Sequence, residues 1–245
     1  MITDTVARFL DYVGSALFPT RCPICGKRTE TIEPATESQP LCRTCLRLLP
    51  RTEHAAQRNN RMEDLFYRHR RLVRAGAFLH YSKGSTVQYI VEQFKYHEQP
   101  QLAYQLGKEA AIEWMQSDFF DNIDLLVPIP LHPRRLRERG YNQSAYIARA
   151  ISEVTGLPVV NDNLLRVRNN PKQALKSGKE RKENVKDVFE VKQPALFAHK
   201  HLLLIDDIVT TGSTLLAAMN AIDICRGCHI SLFAIAQPQP ENRTT

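Results

Sequence analysis

Two adjacent carboxylates and a run of hydroxyl side chains stand together near the end of the sequence. Asp206 and Asp207 follow four aliphatic residues, and the string TTGST comes two residues later. Carboxylates only accept hydrogen bonds, so this pair suits vicinal hydroxyls or a divalent metal rather than a phosphate. The loop suits a phosphate, because glycine permits a positive φ and successive backbone N–H groups at a helix start bind anions. A ribose 5-phosphate would use both the carboxylates and the loop, because it carries vicinal hydroxyls and a phosphate. The alternative is that the Thr and Ser side chains cap a helix and the two carboxylates are solvated. The loop residues are Thr210, Thr211, Gly212, Ser213 and Thr214.

Two further groups of cations could bind an anion. Arg134 and Arg135 follow an apolar run and a turn stiffened by prolines, in the string LVPIPLHPRR. Arg166, Arg168 and Arg181 belong to a segment rich in Asn, Ser and Gly, a composition that suits a mobile lid. Both groups also fit solvated basic surface loops, and the residues alone leave that alternative open.

Four cysteines near the start of the chain have the spacing of a metal site. Cys22 and Cys25 form one C-x-x-C pair, and Cys42 and Cys45 form a second pair 16 residues later. Two such pairs can close a tetrahedral zinc site, and four thiolates leave no open position for catalysis. We therefore predict a structural zinc site, with free reduced cysteines as the alternative.

A third C-x-x-C, Cys225 and Cys228, has a different setting. It flanks Gly227 at the end of a predicted helix, where glycine commonly ends the helix. We interpret these two cysteines as small, partly buried hydrophobic residues rather than metal ligands.

The elements that must position these residues alternate between strand and helix, which predicts an α/β fold. The aliphatic run before Asp206 is too short for a helix and continuous, so it predicts a strand buried on both faces. Ligands bind beyond the carboxyl ends of such strands, where Asp206 and Asp207 lie. The pattern predicts strands at 74–81, 123–129, 164–167, 187–191, 202–206 and 229–236, and helices at 85–96, 102–115, 141–154 and 214–224.

Composition and charge limit the class of protein. The chain has 245 residues, 43% hydrophobic and 24% charged, which is ordinary for a globular protein. A net charge of +7 favours anionic partners such as phosphorylated metabolites or nucleic acid without choosing between them. No apolar run reaches the length of a membrane span, and the first 18 residues have the spacing of an amphipathic helix rather than a signal peptide. These features predict a cytoplasmic protein.

The composition changes along the chain and predicts three parts. Residues 1–55, with an N-terminal helix, would form the zinc-binding module, residues 56–72 a polar linker, and residues 73–245 the α/β domain.

The string IDDIVTTGST resembles the 5-phosphoribosyl-1-pyrophosphate (PRPP) motif of type I phosphoribosyltransferases. That resemblance implies a doubly wound parallel sheet with a small hood, with Asp206 and Asp207 on the ribose hydroxyls and residues 210–214 on the 5-phosphate. The segment 126–135 resembles the loop that receives pyrophosphate, which Mg²⁺ would bridge. Together with the cysteines and the string RGYNQ, these pieces resemble the ComF family over nearly the whole chain.

The resemblance implies PRPP binding with Mg²⁺, transfer of phosphoribose to an unknown acceptor, and a role in DNA uptake during natural transformation. Thr210 stands where purine-salvage members have an acidic residue, which argues against a hypoxanthine or guanine transferase. The competing hypothesis is an adaptor of the competence machinery that senses PRPP or binds single-stranded DNA without catalysis. Its surface would be Arg134, Arg135, Arg137 and Arg139, with Tyr141 as the nearest aromatic residue.

Overall fold

A computed structural model describes residues 21–29, 39–168 and 188–239. The chain divides into two compact units, Met1–Leu49 and Pro50–Thr245. The predicted N-terminal amphipathic helix and most of the predicted lid, including Arg181, lie outside the described residues. Within the described part of the chain, no helix is both long enough and apolar enough to cross a membrane.

The larger unit is built on a parallel sheet. Its four strands have the order β1-β6-β5-β2 and every neighbouring pair is parallel, whereas β3 and β4 form a separate antiparallel pair. The strands are β1 (Leu72–Tyr81), β2 (Leu125–Pro128), β3 (Leu164–Arg166), β4 (Phe189–Val191), β5 (His201–Ile208) and β6 (His229–Pro238).

One described helix belongs to the smaller unit and seven to the larger one. Several begin where the sequence supplies a cap: Ser85 accepts a hydrogen bond from the backbone N–H of Gln88, and Asn142 accepts one from Ser144. The helices are α1 (Arg43–Arg47), α2 (Arg61–Asp64), α3 (Thr86–Tyr96), α4 (Pro100–Trp114), α5 (Pro133–Arg139), α6 (Gln143–Thr155), α7 (Pro194–Phe197) and α8 (Ser213–Ile222).

The sheet is covered on both faces, as predicted for a doubly wound fold. Leu202 and Leu204 of β5 belong to a core that includes Leu215 and Met219 of α8. On the opposite face, the rings of Trp114 and Phe233 lie 5.1 Å apart at their centroids. Because the aliphatic residues of β5 before Asp206 have an exposed fraction of 0%, the strand has no polar face. The α/β doubly wound prediction is confirmed.

Residues 50–71 form part of the larger unit and contact β1. The side-chain amide of Asn60 donates to the carbonyl of Ala75 at 2.8 Å, and the backbone N–H of Ala77 donates to Nδ1 of His54 at 3.2 Å. Burial lowers the pKa of His54 to about 4, which keeps that nitrogen unprotonated and able to accept. The stretch 56–72, which was predicted to be a linker because of its polar composition, thus uses polar side chains such as Asn60 to contact β1.

Gly76 in β1 leaves room for the aromatic cluster on one face. A Cβ at this position would lie 2.8 Å from Cη2 of Trp114 and 3.1 Å from Cε2 of Phe119. We expect Gly76→Ala to lower the free energy of unfolding by about 1–3 kcal/mol through overpacking, measured by urea denaturation.

The control for this prediction is a double-mutant cycle with Trp114→Phe, which removes the outer ring atoms that the new methyl group would meet. The combined variant should lose less stability than the sum of the two single variants. Additive losses would show that the clash is not the cause.

Candidate functional site

The candidate site lies at the carboxyl end of β5. Oδ1 of Asp206 accepts a hydrogen bond from the backbone N–H of Asp207 at 2.9 Å and one from the Ser144 hydroxyl at 3.4 Å. Oδ1 of Asp207 accepts from the backbone N–H of Ile208 at 2.7 Å and lies 3.0 Å from the ammonium of Lys95. Both carboxyl groups are partly shielded from solvent, and each accepts hydrogen bonds from the protein.

The environment of Asp206 changes how readily this carboxyl group ionises. Burial and the neighbouring charge of Asp207 raise the pKa of Asp206 to about 7, against the opposing effects of the Asp207 N–H, Lys95 and Arg166. Asp206 is therefore protonated in part of the molecules at neutral pH, and it can donate as well as accept a hydrogen bond.

The loop after the two carboxylates forms a small recess at the start of α8. Gly212 precedes the helix with φ at +73°, so a residue with a side chain would be strained there. A Cβ on Gly212 would also lie 2.6 Å from Cζ of Phe66. The recess has a volume of about 30 Å³ and its lining includes Asp206, residues 208–209 and all five predicted loop residues. The structure thus brings the predicted carboxylate and the predicted anion loop together.

A larger cavity of about 330 Å³ lies beside Asp207 and includes Lys95, Arg135 and Arg139 in its lining. The two predicted arginines of α5 differ in their positions. Arg135 lines this cavity, whereas Arg134 is exposed and forms an ion pair with Glu138, with Nε 2.9 Å from the carboxylate oxygen. The helix α5, which carries both arginines, ends before Gly140, whose φ is +80°.

Arg166 approaches the carboxylates from β3. Its guanidinium lies 5.5 Å from the centroid of the Phe189 ring, and Asp206 and Arg135 are the charges that act on it. Burial lowers the pKa of Arg166, and its Nε is buried without a hydrogen-bond partner among the described residues. Arg168 is exposed two residues later, and Arg181 lies outside the described residues.

Two residues of the site were missed by the sequence analysis. Lys95 lies in the last turn of α3 and Ser144 in the first turn of α6, and neither belongs to a recognisable motif. The RGYNQ string does position Ser144, because Asn142 caps α6 and donates from its amide to the carbonyl of Ile129 at 3.0 Å. The string RGYNQ next to the start of a predicted helix was the available signal for Ser144, whereas Lys95 had no such signal.

The four cysteines of the smaller unit form one cluster. The sulfur atoms of Cys22, Cys25, Cys42 and Cys45 all lie within 4.8 Å of one another, and those of Cys25 and Cys42 are 3.7 Å apart. Ligands about 2.3 Å from a tetrahedral zinc ion would be about 3.8 Å from each other. The cluster is compatible with structural zinc, as predicted from the spacing.

The backbone around the cluster has the turns that such sites use. Gly26 donates to the carbonyl of Cys22 at 2.8 Å, and the backbone N–H of Cys45 donates to the sulfur of Cys42 at 3.4 Å. Burial raises the pKa of Cys22, but backbone hydrogen bonds outweigh it and bring the pKa down to about 7, whereas burial and the neighbouring thiols raise the pKa of Cys45. A cation in the cluster would favour the thiolate form of all four.

Cys225 and Cys228 lie elsewhere, at the end of α8, and both are buried. Burial raises the pKa of both thiols, and Nη1 of Arg71 donates to the sulfur of Cys228 at 2.7 Å. This setting agrees with the interpretation of these cysteines as packed thiols.

Comparison with solved structures gives distant similarities. Glutamine PRPP amidotransferase from B. subtilis is 17% identical, with 58% of this chain and 30% of that chain covered and a TM-score of 0.40. A hypoxanthine phosphoribosyltransferase from Staphylococcus aureus is 14% identical, with 67% and 77% covered and a TM-score of 0.35. No family model matches the sequence.

Comparison with curated sequences gives clearer matches. Competence protein F of Haemophilus influenzae is 33% identical over 93 residues, which span 38% of this chain and only 41% of that protein. DNA utilization protein YhgH of Escherichia coli K12 is 26% identical over 198 residues, 80% of this chain and 74% of that protein. Competence protein ComFC of Bacillus subtilis is 26% identical over 223 residues, 87% of this chain and 76% of that protein. The resemblance to the ComF family is confirmed: the chain is a relative of the competence F, ComFC and YhgH proteins.

Proposed function

We propose that the larger unit binds PRPP together with Mg²⁺ at the carboxyl end of β5. The observation that carries this proposal is the recess in which Asp206 meets the loop of residues 210–214. Carboxylate oxygens, which accept hydrogen bonds, lie there next to the start of α8, where backbone N–H groups can bind an anion. A ribose 5-phosphate would present its hydroxyls to the carboxylates and its phosphate to the start of the helix.

Each part of the ligand has a matching group. Asp206 and Asp207 accept hydrogen bonds from the ribose hydroxyls, and the backbone N–H groups and hydroxyls of the loop donate to the 5-phosphate. Arg135 lines the cavity next to Lys95, and the charges of Asp206 and Arg135 both act on Arg166, so these two arginines would face the diphosphate. Arg168 and Arg181, in and next to the predicted lid, would close over it. Bound Mg²⁺ would neutralise diphosphate oxygens.

The reaction that this site could support is transfer of phosphoribose. A nucleophile donates its electron pair to form a new bond to C1 of the ribose, the bond from C1 to the pyrophosphate oxygen breaks, and pyrophosphate leaves with the electron pair of the broken bond. The transition state has oxocarbenium character, so the protein contributes orientation and electrostatic stabilisation. Thr210 has an uncharged hydroxyl at neutral pH and does not act as a general base on the acceptor.

The cellular role that we propose is in DNA uptake. It rests on the names of the relatives, which are competence proteins and DNA utilization proteins. The smaller unit would hold one structural zinc ion through Cys22, Cys25, Cys42 and Cys45 and would depend on it for folding.

A second candidate function is binding of single-stranded DNA by an adaptor of the competence machinery that has no catalytic activity. The favouring observation is an aromatic residue beside the basic helix α5. The ring of Tyr96 is 70% exposed, and the guanidinium of Arg139 lies 5.5 Å from its centroid. Arg134 and Arg137 add charge on a helix with no buried residue, so bases could stack while phosphates are neutralised.

Calorimetric titration with PRPP and Mg²⁺ tests the ribose site. We expect wild type to bind, and the Asp206→Asn/Asp207→Asn variant to lose affinity by at least about 10-fold, because two acceptors for ribose hydroxyls are weakened. Asp162→Asn, which removes one carboxylate at an exposed position outside β5, serves as the control and should bind like wild type. Absence of heat with wild type at millimolar PRPP would reject the proposal and favour the DNA-binding alternative.

Metal analysis of the purified protein tests the cysteine cluster. We expect about one zinc ion per chain, and a loss of that zinc in Cys22→Ser/Cys45→Ser, since two of four ligands are removed. Cys228→Ala should keep its zinc, because Cys228 is a buried residue of the other unit. Equal zinc content in the two variants would contradict the assignment.

The raised pKa of Asp206 predicts a dependence of stability on pH. A carboxyl whose pKa is higher in the folded than in the unfolded chain stabilises the fold below about pH 4, and this contribution disappears as the pH rises towards 7. We expect Asp206→Asn to be more stable than wild type by about 1–3 kcal/mol at pH 8 and nearly equal to it at pH 4. Urea denaturation at both pH values measures the difference.

Asp206→Asn, which removes a contact to the proposed ligand, should thus stabilise the ligand-free protein at pH 8. Asp162→Asn, at an exposed position, should show no such change between the two pH values. A difference that is constant with pH would mean that the Asp206 carboxyl is not the group that titrates.

A further inference from the structure

Lys95 contacts Asp207 and also lines a cavity. Its ammonium lies 3.0 Å from Oδ1 of Asp207, with only 21% of the lysine side chain and 13% of the aspartate side chain exposed. The same lysine lines the cavity of about 330 Å³ that also contains Arg135 and Arg139. One cation therefore stands between a carboxylate of the ribose site and a neighbouring space.

The backbone that carries Lys95 is held in place. The hydroxyl of Tyr141 donates to the carbonyl of Phe94 at 2.6 Å, and the side-chain amide of Gln143 donates to the same carbonyl at 3.3 Å. Phe94 itself is buried. Because the end of α3 is fixed in this way, a change in the partner of Lys95 requires only rotation of its flexible four-carbon side chain.

The cavity carries more positive than negative charge once its ion pairs are considered. Lys95, Arg135 and Arg139 line it together with Glu98 and Glu138. Glu138 is already paired with Arg134, and Arg139 is hydrogen-bonded to the uncharged Gln143 at 2.7 Å. An anion that enters the cavity would be attracted by these cations, and it would compete with Asp207 for the ammonium of Lys95.

We propose that Lys95 is a specificity residue that couples the two halves of the site: it blocks Asp207 in the free protein and turns to the diphosphate when PRPP binds. This inference rests on the proposed PRPP site. A ligand with a diphosphate supplies a new partner for Lys95 and frees Asp207 for a ribose hydroxyl. Ribose 5-phosphate has the same sugar and phosphate but no diphosphate, so it must break the contact between Lys95 and Asp207 without compensation.

Replacement of Lys95 should change the affinities for two ligands in opposite directions, whereas replacement of a lysine with only a structural role would not. In Lys95→Met, PRPP loses a charge-assisted contact and its Kd should rise at least about 10-fold. Ribose 5-phosphate no longer has to displace a lysine from Asp207, so its Kd should fall. Both ligands are titrated by calorimetry with Mg²⁺ at pH 8, and Lys95→Gln is measured as well in case the methionine variant folds poorly.

Lys83→Met is the matched control, because Lys83 is an exposed lysine just before α3 and should leave both affinities unchanged. The inference is overturned if the Kd of ribose 5-phosphate does not fall, if PRPP binding is unaffected, or if neither Lys95 variant shows binding of ribose 5-phosphate. Failure of wild type to bind PRPP is a different result: it rejects the proposed function itself.

Discussion

Two carboxyl groups at the end of a buried strand repel each other, and the surrounding structure counteracts that repulsion. Asp206 and Asp207 are consecutive, so the sheet directs them to opposite sides, and different partners meet each one. Ser144 and Arg166 are near the first, and Lys95 pairs with the second. These partners belong to α6, β3 and α3, so three elements around β5 interact with the carboxyl groups at its end. Burial and the neighbouring charge of Asp207 nevertheless keep the pKa of Asp206 raised, so these partners offset the repulsion only in part.

The fold was predictable where one short signal determined one element. The aliphatic run at 202–205 is buried on both sides, and the strand predicted at 123–129 appears as β2, Leu125–Pro128. Boundaries shifted where local chemistry decided them: Pro100 begins α4 two residues earlier than the apolar pattern indicated, because proline suits the first helical position. The short helix α5 was not predicted, since none of its residues is buried and no apolar periodicity marks it.

The candidate site was predictable to the extent that it is contiguous in sequence. The carboxylates and the anion loop form one string, and the four cysteines form two short motifs, so their proximity follows from local geometry. Lys95 lies more than 100 residues from Asp207, and no local pattern connects them. Arg134 and Arg135 are adjacent and chemically equal, but a helix turns neighbouring side chains by about 100° and only one of them lines the cavity. Such differences depend on the packing of the whole unit rather than on residue type.

The contact between Gly212 and Phe66 has a consequence for how the protein could be divided or recombined. The ring of Phe66 lies against Gly212 in the loop of residues 210–214, yet Phe66 precedes β1, in a stretch whose composition suggests a dispensable connection. A chain that began at Pro50 would keep this ring, whereas a chain that began at Val73 would keep Asp206, Asp207 and the loop but lose the ring that packs against Gly212. The boundary between the two units therefore lies earlier in the chain than the polar composition indicates, and an evolutionary exchange of the cysteine module would keep the packing of this loop only if it were made at that earlier boundary.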